Sequence, residues 1–184
     1  MDLKGERFIP QPRETVWRAL NDIDVLKTSI PGCEEISWSA ENVLEAKVKA
    51  KVGPVKAMFK GSVTLENMSP PESYTIKGEG KGGAAGFAKG SAHVVLHEEE
   101  GGTRLIYNVD ATVGGKLAQV GSRLIQGTAN KLSAEFFDAL TLQLGGEVAQ
   151  DKSEDKAPVL TLPTHIWAGG IIAFVAITLW YFAK

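Results

Sequence analysis

Cysteine and histidine are scarce in this chain, and their scarcity excludes several classes of protein. Cys33 is the single cysteine among 184 residues, so no disulfide can form within the chain and no CxxC metal or redox motif exists. The net charge of −2 gives no general electrostatic attraction to nucleic acid. The first residues are charged where a secretory signal has an apolar run, so we expect no such signal and a cytoplasmic domain.

Two short motifs match known sites but stand in the wrong context. Residues 78–83 read Gly-Glu-Gly-Lys-Gly-Gly and fit the dinucleotide pattern G-x-G-x-x-G, yet a strand pattern follows where that site needs a helix. His93 and His97 lie four residues apart on a predicted strand, roughly 13 Å, which is too far to share one metal ion. We therefore predict no nucleotide site and no metal site, and no catalytic residue can be assigned.

Alternating apolar and polar residues predict antiparallel strands from about residue 33 to residue 113. The glycine-containing turns fall at 53–54, 82–83 and 101–102. A short strand at 3–9 and two short helices, ended by Pro31-Gly32, precede these strands. The chain should therefore form six or seven antiparallel strands in meander order.

A long helix is predicted from Gly115 to about Leu144, because its apolar residues recur at helical spacing and the segment contains no proline. A sheet with one apolar face needs a cover, and this helix is the obvious candidate. The predicted fold class is α+β, with a strongly curved antiparallel sheet around a long C-terminal helix.

Small residues recur at inward-facing positions of the predicted strands and again in the helix. A sheet that packs against a helix normally presents larger apolar side chains, because protein cores are close-packed. We interpret this as an apolar ligand groove; close packing of helix on sheet, or bends at Gly78 and Gly90, are the alternatives. The predicted groove residues are Phe59, Gly61, Tyr74, Gly78, Phe87, Gly90, Tyr107, Leu117, Gly121, Leu124, Thr128 and Phe136.

Five lysines share the outer face of the predicted hairpin at 44–65, namely Lys47, Lys49, Lys51, Lys56 and Lys60. They are either an ordinary solvated face that guards a sheet edge, or a docking patch for anionic lipid or for an acidic partner protein.

The last part of the sequence contains 18 uncharged residues, from Ile166 to Ala183. A helix of that length spans about 27 Å, and Trp167 and Trp180 stand at its two ends, as in membrane-interface belts. We predict a ligand-binding domain at 1–146, a flexible linker at 147–164 and a transmembrane anchor at 165–184, with the domain on the cytoplasmic side of the inner membrane. A buried C-terminal core helix is the alternative.

Several segments resemble one known family. They are Trp17-x-x-Leu20-x-Asp22, Ile30-Pro-Gly-Cys33, Gly86-Phe-Ala-Lys-Gly90, Gly115-Lys-Leu-Ala-Gln-Val-Gly-Ser-Arg-Leu-Ile125 and Phe136-Phe137. Over residues 1–145 the chain resembles the carbon monoxide dehydrogenase CoxG family, a branch of the SRPBCC or START-like (polyketide cyclase) superfamily. The resemblance implies a helix-grip fold, an apolar cavity, no catalytic residues, and an accessory role that helps to recruit a molybdenum-containing CO dehydrogenase or related hydroxylase to the membrane.

Together, a groove and an anchor lead to the hypothesis that the protein carries a quinone (menaquinone or ubiquinone) for that enzyme, with no covalently bound cofactor. A linker of about 18 residues would reach roughly 20–25 Å. The alternatives are a recruitment adaptor without a ligand, a generic lipid-binding protein, and a START-like hydrolase or cyclase. The last would need polar groups in the groove, for which Tyr74, Tyr107, Thr128 and Arg123 are the candidates.

Overall fold

The computed structural model describes residues 2–146, which form seven strands and four α-helices. In chain order these are β1 (Asp2–Ile9), α1 (Arg13–Leu20), α2 (Ile23–Ser29), β2 (Cys33–Ala40), β3 (Val43–Val52), β4 (Val55–Ser69), β5 (Ser73–Lys81), β6 (Phe87–Glu99), β7 (Gly102–Gly114), α3 (Lys116–Gln119) and α4 (Ser122–Gln143). A 3-10 turn at Gly83–Ala85 joins β5 to β6.

All seven strands belong to one antiparallel sheet in the order β1-β7-β6-β5-β4-β3-β2. From β2 to β7 each strand pairs with its neighbour in sequence, which confirms the predicted meander. β1 adds to the other side of β7, where Asp2 pairs with Asp110 and Ile9 with Thr103. The edges of the sheet are therefore β1 and β2, and the lysine-bearing strands β3 and β4 lie inside it.

The two short helices cover one end of the sheet's apolar face. α1 buries Val16, Ala19 and Leu20, and these side chains join the main core with Ile9, Leu96 and Leu105 from the strands. The carboxylate of Asp22 caps α2, because it accepts hydrogen bonds from the backbone N–H groups of Asp24 (2.9 Å) and Val25 (3.2 Å).

The predicted single helix from Gly115 to Leu144 is wrong at its N-terminal end. The chain forms the one-turn helix α3, breaks at Gly121 and begins α4 at Ser122. Gly121 has φ of +90°, a left-handed conformation that glycine adopts without the steric cost of a side chain. Because of this break, α3 and α4 are separate helices.

α4 is attached to the rest of the fold through its C-terminal half. The Arg7 guanidinium on β1 forms an ion pair with Asp138, and the Gln143 side chain donates a hydrogen bond to Ser29 Oγ at 2.7 Å. Leu140 is fully buried. The N-terminal half of α4 is mostly exposed, so the helix covers only part of the sheet.

Two of the predicted inward-facing glycines, Gly78 and Gly90, pair with each other across β5 and β6. A Cβ at Gly78 would lie 3.2 Å from Val63 Cγ2, and a Cβ at Gly90 would collide with the carbonyl oxygen of Asp110. The alternative interpretation, that Gly78 and Gly90 serve the curvature of the sheet, therefore accounts for them better than a ligand wall does.

Within residues 2–146, no helix is long and apolar enough to cross a membrane. The predicted linker at 147–164 and the predicted anchor at 165–184 lie outside the described residues.

Candidate functional site

A cavity of about 460 Å³ lies between the apolar face of the sheet, the short helices and the C-terminal half of α4. This volume is in the range of small-molecule binding pockets, roughly 300–1,000 Å³. Its wall is formed by Leu20, Leu26, Ile30, Pro31, Ile36, Leu44, Ala46, Val48, Val63, Leu65, Tyr74, Ile76, Ala92, Val94, Leu105, Tyr107, Val109, Leu132, Ser133, Phe136 and Phe137.

The period of each element explains why these side chains meet. Successive side chains of a strand point to opposite faces, so every second residue of β3 to β7 reaches the cavity, as Leu44, Ala46 and Val48 do on β3. On α4, Leu132 and Phe136 lie one turn apart on the same face. The sequence-based assignment of the inner sheet face is confirmed by this lining.

The cavity wall is almost entirely apolar. Its polar side-chain atoms are the hydroxyls of Tyr74, Tyr107 and Ser133, and none of its residues is an acid, a base or a cysteine. An ion in such a space would lose its hydration without gaining a partner. The cavity is therefore suited to a neutral, largely hydrocarbon molecule, and the wall offers no pair of groups for general acid–base chemistry.

Aromatic rings meet at two places around the cavity. The ring centroids of Trp17 and Tyr74 lie 5.3 Å apart in an edge-to-face arrangement. Tyr107 stacks on Phe137 at 5.6 Å, and Phe137 meets Phe136 edge-on at 5.1 Å. These contacts connect α1 to β5 and α4 to β7, so they hold both helices against the sheet beside the cavity.

Tyr74 is the most enclosed of the three hydroxyl-bearing side chains, with 4% of its surface exposed. Burial raises the pKa of its phenol well above the ordinary value, because the enclosed site disfavours the charged phenolate. Tyr74 therefore remains a neutral hydrogen-bond donor at any physiological pH.

Three predicted groove residues, Tyr74, Tyr107 and Phe136, line the cavity. The predicted wall is wrong for Gly61, Gly78 and Gly90, which lie outside the cavity lining and pack against neighbouring strands. Two further predicted residues are also outside the lining. They are Phe59, whose ring lies over Gly82, and Phe87, which is 42% exposed beside Gly114.

The predicted lid lies too early in the chain. Leu117 is buried in α3, Gly121 forms the helix break, and Leu124 is 42% exposed over the turn at Gly53. The Thr128 hydroxyl donates a hydrogen bond to the Leu124 carbonyl at 2.9 Å. None of these four, and not Arg123, lines the cavity. The helical wall comes from Leu132, Ser133, Phe136 and Phe137 instead.

The sequence analysis also missed the contribution of the segment that leads from α2 into β2. Leu26, Ile30, Pro31 and Ile36 line the cavity on that side. The available signal is the run of apolar residues before the Pro31-Gly32 stop, which by itself predicts only the end of a helix.

The predicted lysine face carries like charges directly opposite each other. Lys51 pairs with Lys56 across β3 and β4, and Lys47 pairs with Lys60. Lys47 Nζ contacts the Glu35 carboxylate at 2.5 Å, and this contact holds the pKa of Glu35 below its ordinary value. Because β3 and β4 are interior strands, the alternative that these lysines guard a sheet edge is wrong.

The remaining polar candidates are isolated from one another. His93 lies within hydrogen-bond distance of Thr75 (3.3 Å), and no group of three or more potential metal ligands occurs within residues 2–146. Cys33 is half-buried, and its burial raises the pKa of the thiol. The glycines of residues 78–83 lie on β5 and the following 3-10 turn, without the helix that a dinucleotide site requires.

A family model described as carbon monoxide dehydrogenase CoxG matches residues 5–145 of the chain. No functionally curated protein matches the sequence. The matched range includes every element from the latter part of β1 to the end of α4, and hence the whole cavity wall.

Solved structures share this architecture. A conserved protein from Geobacillus kaustophilus is 27% identical with a TM-score of 0.75, over 79% of this chain and 95% of that one. The ZhuI aromatase/cyclase from Streptomyces sp. R1128 is 12% identical with a TM-score of 0.59, over 80% and 99% of the two chains. At that identity the second likeness shows the fold alone, an α+β helix-grip arrangement of a curved antiparallel sheet and a C-terminal helix.

Proposed function

Because the chain belongs to the carbon monoxide dehydrogenase CoxG family, we propose that it is a non-catalytic accessory protein of a molybdenum-containing CO dehydrogenase or a related molybdenum hydroxylase. The cavity wall contains no acid, base or nucleophilic cysteine, so it offers nothing that a hydrolase or cyclase reaction would use. Its role is then to bind and to position other molecules.

The ligand that we propose for the cavity is a quinone, menaquinone or ubiquinone. The observation that carries this proposal is a space of about 460 Å³ whose wall is apolar apart from three hydroxyls. A quinone is uncharged, has an isoprenoid chain for such a wall, and has two carbonyl oxygens that accept hydrogen bonds. A fatty acid fits less well, because its carboxylate would find no cation there.

Quinone carriage would connect the partner enzyme to the respiratory chain. Oxidation of CO with water to CO2 releases two electrons and two protons, and one quinone takes up two electrons and two protons to become a quinol. The protein would present the quinone to the enzyme's electron exit site and return the quinol to the membrane. In this scheme the chain itself undergoes no covalent change.

Membrane recruitment is the second part of the proposal. The uncharged segment at 166–183 would act as a single-pass anchor in the inner membrane, with the domain on the cytoplasmic side and 147–164 as its tether. Deletion of residues 147–184 should release the protein and its partner enzyme from membranes, whereas quinone binding by residues 1–146 should persist.

The lysine face of β3 and β4 is the surface that we propose for docking. Like charges opposite each other on neighbouring strands destabilise a sheet, so Lys51 and Lys56 favour an anionic partner. Phe87 and Leu124, each 42% exposed, lie at the same end of the sheet as the turn between these lysines. This surface also favours the second candidate function, a recruitment adaptor whose cavity carries no ligand.

The experiment that separates the two candidates is identification of what co-purifies with the full-length protein. Organic extracts of the detergent-solubilised protein should contain a quinone in near-stoichiometric amount, as measured by mass spectrometry. Delipidated protein should also rebind added menaquinone and melt at a higher temperature. If extracts contain no quinone and added quinone leaves the melting temperature unchanged, the carrier function is wrong and the adaptor function remains.

A further inference from the structure

The Tyr74 hydroxyl is a buried polar group without a hydrogen-bond partner in the described part of the chain. Tyr74 lies on β5 opposite Val94, and 4% of its surface is exposed. No donor or acceptor within residues 2–146 contacts its oxygen, and burial alone accounts for its raised pKa. Buried hydroxyls in folded proteins nearly always have a partner, so this one needs an explanation.

The hydroxyl faces the cavity. Among residues 2–146, Arg13 Nε is the one fully enclosed side-chain nitrogen or oxygen that lacks a partner. The Tyr74 oxygen also lacks a partner but is not fully enclosed, so some open space must adjoin it. Because Tyr74 is part of the cavity wall and is otherwise buried, that space is the cavity.

The other two hydroxyls in the wall are placed differently. The Tyr107 ring stacks on Phe137, and its hydroxyl end lies over Gly5 of the edge strand β1. Tyr107 is half-buried, as is Ser133 on α4. Tyr74 is therefore the polar group of the wall that is most shielded from solvent water, and a bound molecule is its available partner.

The edge-to-face contact with Trp17 fixes the position of the Tyr74 ring. The phenol also stays protonated, because burial disfavours its ionised form. A fixed neutral hydroxyl in an apolar space is a directional donor, and a donor of this kind selects ligands with an acceptor oxygen over ligands that lack one.

We propose that Tyr74 is the polar anchor of the cavity, whose hydroxyl donates a hydrogen bond to a carbonyl oxygen of a neutral ligand and thereby places the quinone ring beside β5. This rests on the proposed quinone function. The isoprenoid chain then lies along the apolar wall formed by residues such as Val48, Val63 and Leu132. Tyr74 would thus determine specificity for a quinone headgroup, and the remaining wall would contribute affinity for any hydrocarbon.

The test compares the full-length protein with its Tyr74→Phe variant, which keeps the ring against Trp17 and removes only the oxygen. Tyr107→Phe is the matched control. Delipidated proteins in detergent are titrated with menaquinone-4 and with squalane, an isoprenoid hydrocarbon without oxygen. Tyr74→Phe should bind menaquinone-4 about two- to tenfold more weakly, which is the range for one lost hydrogen bond, and should bind squalane unchanged.

Infrared difference spectra of bound menaquinone-4 provide an independent readout. In the wild type one carbonyl stretch should shift to lower frequency, as a hydrogen-bonded carbonyl does, and in Tyr74→Phe that shift should disappear. Tyr107→Phe should retain the shift. A role for Tyr74 in packing alone would alter binding of both probes and would leave the carbonyl band in place.

The outcomes separate this inference from the proposed function. If Tyr74→Phe binds menaquinone-4 as the wild type does and the carbonyl band is unshifted in both, the anchor is wrong and quinone carriage stands. Equal loss of affinity for menaquinone-4 and squalane also overturns the anchor. If the wild type binds squalane but not menaquinone-4, quinone carriage itself is wrong, and the inference fails with it.

Discussion

The indole ring of Trp17 stands edge-on against the phenol ring of Tyr74, with 5.3 Å between centroids and 85° between planes. Tyr74 lines the cavity and Trp17 does not, so Trp17 lies directly behind one wall residue. Trp38 is placed differently, because it is 39% exposed on the edge strand β2 and is not part of the lining.

We expect the fluorescence of Trp17 to respond to the ligand. In a variant with Trp38, Trp167 and Trp180 replaced by Phe, added menaquinone should quench the remaining emission with a saturable titration curve. The matched variant that keeps Trp38 and replaces Trp17, Trp167 and Trp180 should show much weaker quenching. Equal quenching in both variants would indicate nonspecific contact with the quinone and not occupancy of the cavity.

Filling the cavity should abolish binding without unfolding the protein. Ala92 lines the cavity on β6, so Ala92→Leu adds apolar volume where there is open space. Menaquinone affinity should fall by roughly tenfold or more, because the ligand would clash with the new side chain. The melting temperature should stay the same or rise, because filling a cavity is a common route to stabilisation.

The control for this change is Ala57→Leu, the same substitution on the inner face of β4 outside the cavity wall. It should leave menaquinone affinity within about twofold of the wild type. Loss of binding in both variants would mean that binding responds to general damage and not to cavity volume.

Gly90 and Gly80 should tolerate a methyl group very differently. A Cβ at Gly90 would collide with the Asp110 carbonyl oxygen, whereas a Cβ at Gly80 would meet Lys60 O at 4.0 Å, an ordinary contact. Gly90→Ala should lower the free energy of unfolding by about 1–3 kcal/mol, and Gly80→Ala should change it by less than about 0.5 kcal/mol. Urea denaturation of the two variants measures both values. Equal effects would contradict the assignment of Gly90 to close strand packing.

Removing charge from the lysine face should reduce docking but not stability. In the double variant Lys51→Gln/Lys56→Gln, a like-charge pair across the strands disappears, so the free energy of unfolding should stay constant or rise by up to about 1 kcal/mol. Binding to the partner dehydrogenase or to anionic vesicles should weaken, most clearly at low ionic strength.

The double variant Lys77→Gln/Lys131→Gln is the matched control, because both lysines already have carboxylate partners, Glu66 at 2.7 Å and Glu135 at 3.7 Å. It should retain docking to both the enzyme and the vesicles. Vesicles without the enzyme, and the enzyme without vesicles, show which anionic surface the face recognises. Equal weakening by the two double variants would assign the effect to net charge.

Burial of Tyr74 should make the protein sensitive to alkali. The ordinary pKa of tyrosine is about 10, and the folded-state pKa of Tyr74 is raised above it, so the unfolded chain loses this proton first as the pH rises. Its contribution to stability is complete below pH 10 and declines above it, with a limiting slope of about 1.4 kcal/mol per pH unit. The Tyr74→Phe variant should lack this component when unfolding free energies of the two proteins are compared between about pH 9 and pH 11. Parallel profiles would show that Tyr74 ionises alike in the folded and unfolded states.

The period-two pattern of the strands is sufficient to predict the sheet and its inner face. Leu44, Ala46 and Val48 line the cavity as their alternation requires. Register follows from alternation, because a shift by one residue would move every apolar side chain to the solvent face. The place of β1 beside β7 could not be predicted from the pattern, because nothing in a short edge strand identifies its partner.

The position of the helical wall is the weakest part of the sequence analysis. Small residues at Gly121 and Thr128 suggest room for a ligand, yet Gly121 ends α3 and Thr128 bonds to its own helix. Glycine spacing cannot distinguish a helix break from a close approach, because both need the absence of a side chain. The glycines of the sheet are misassigned for the same reason.

The pairing of β1 with β7 has a consequence for how the chain acquires its structure. Asp2 and Asp110 are opposite each other in the sheet, although nearly all of the strands lie between them in sequence. Closing so long a loop costs chain entropy before the contact is made, and folds dominated by such distant pairings form slowly. During synthesis β1 therefore leaves the ribosome with no strand to pair with until β7 has been made. Until then both β1 and β6 present open edges, and in that interval the chain is most exposed to misassembly.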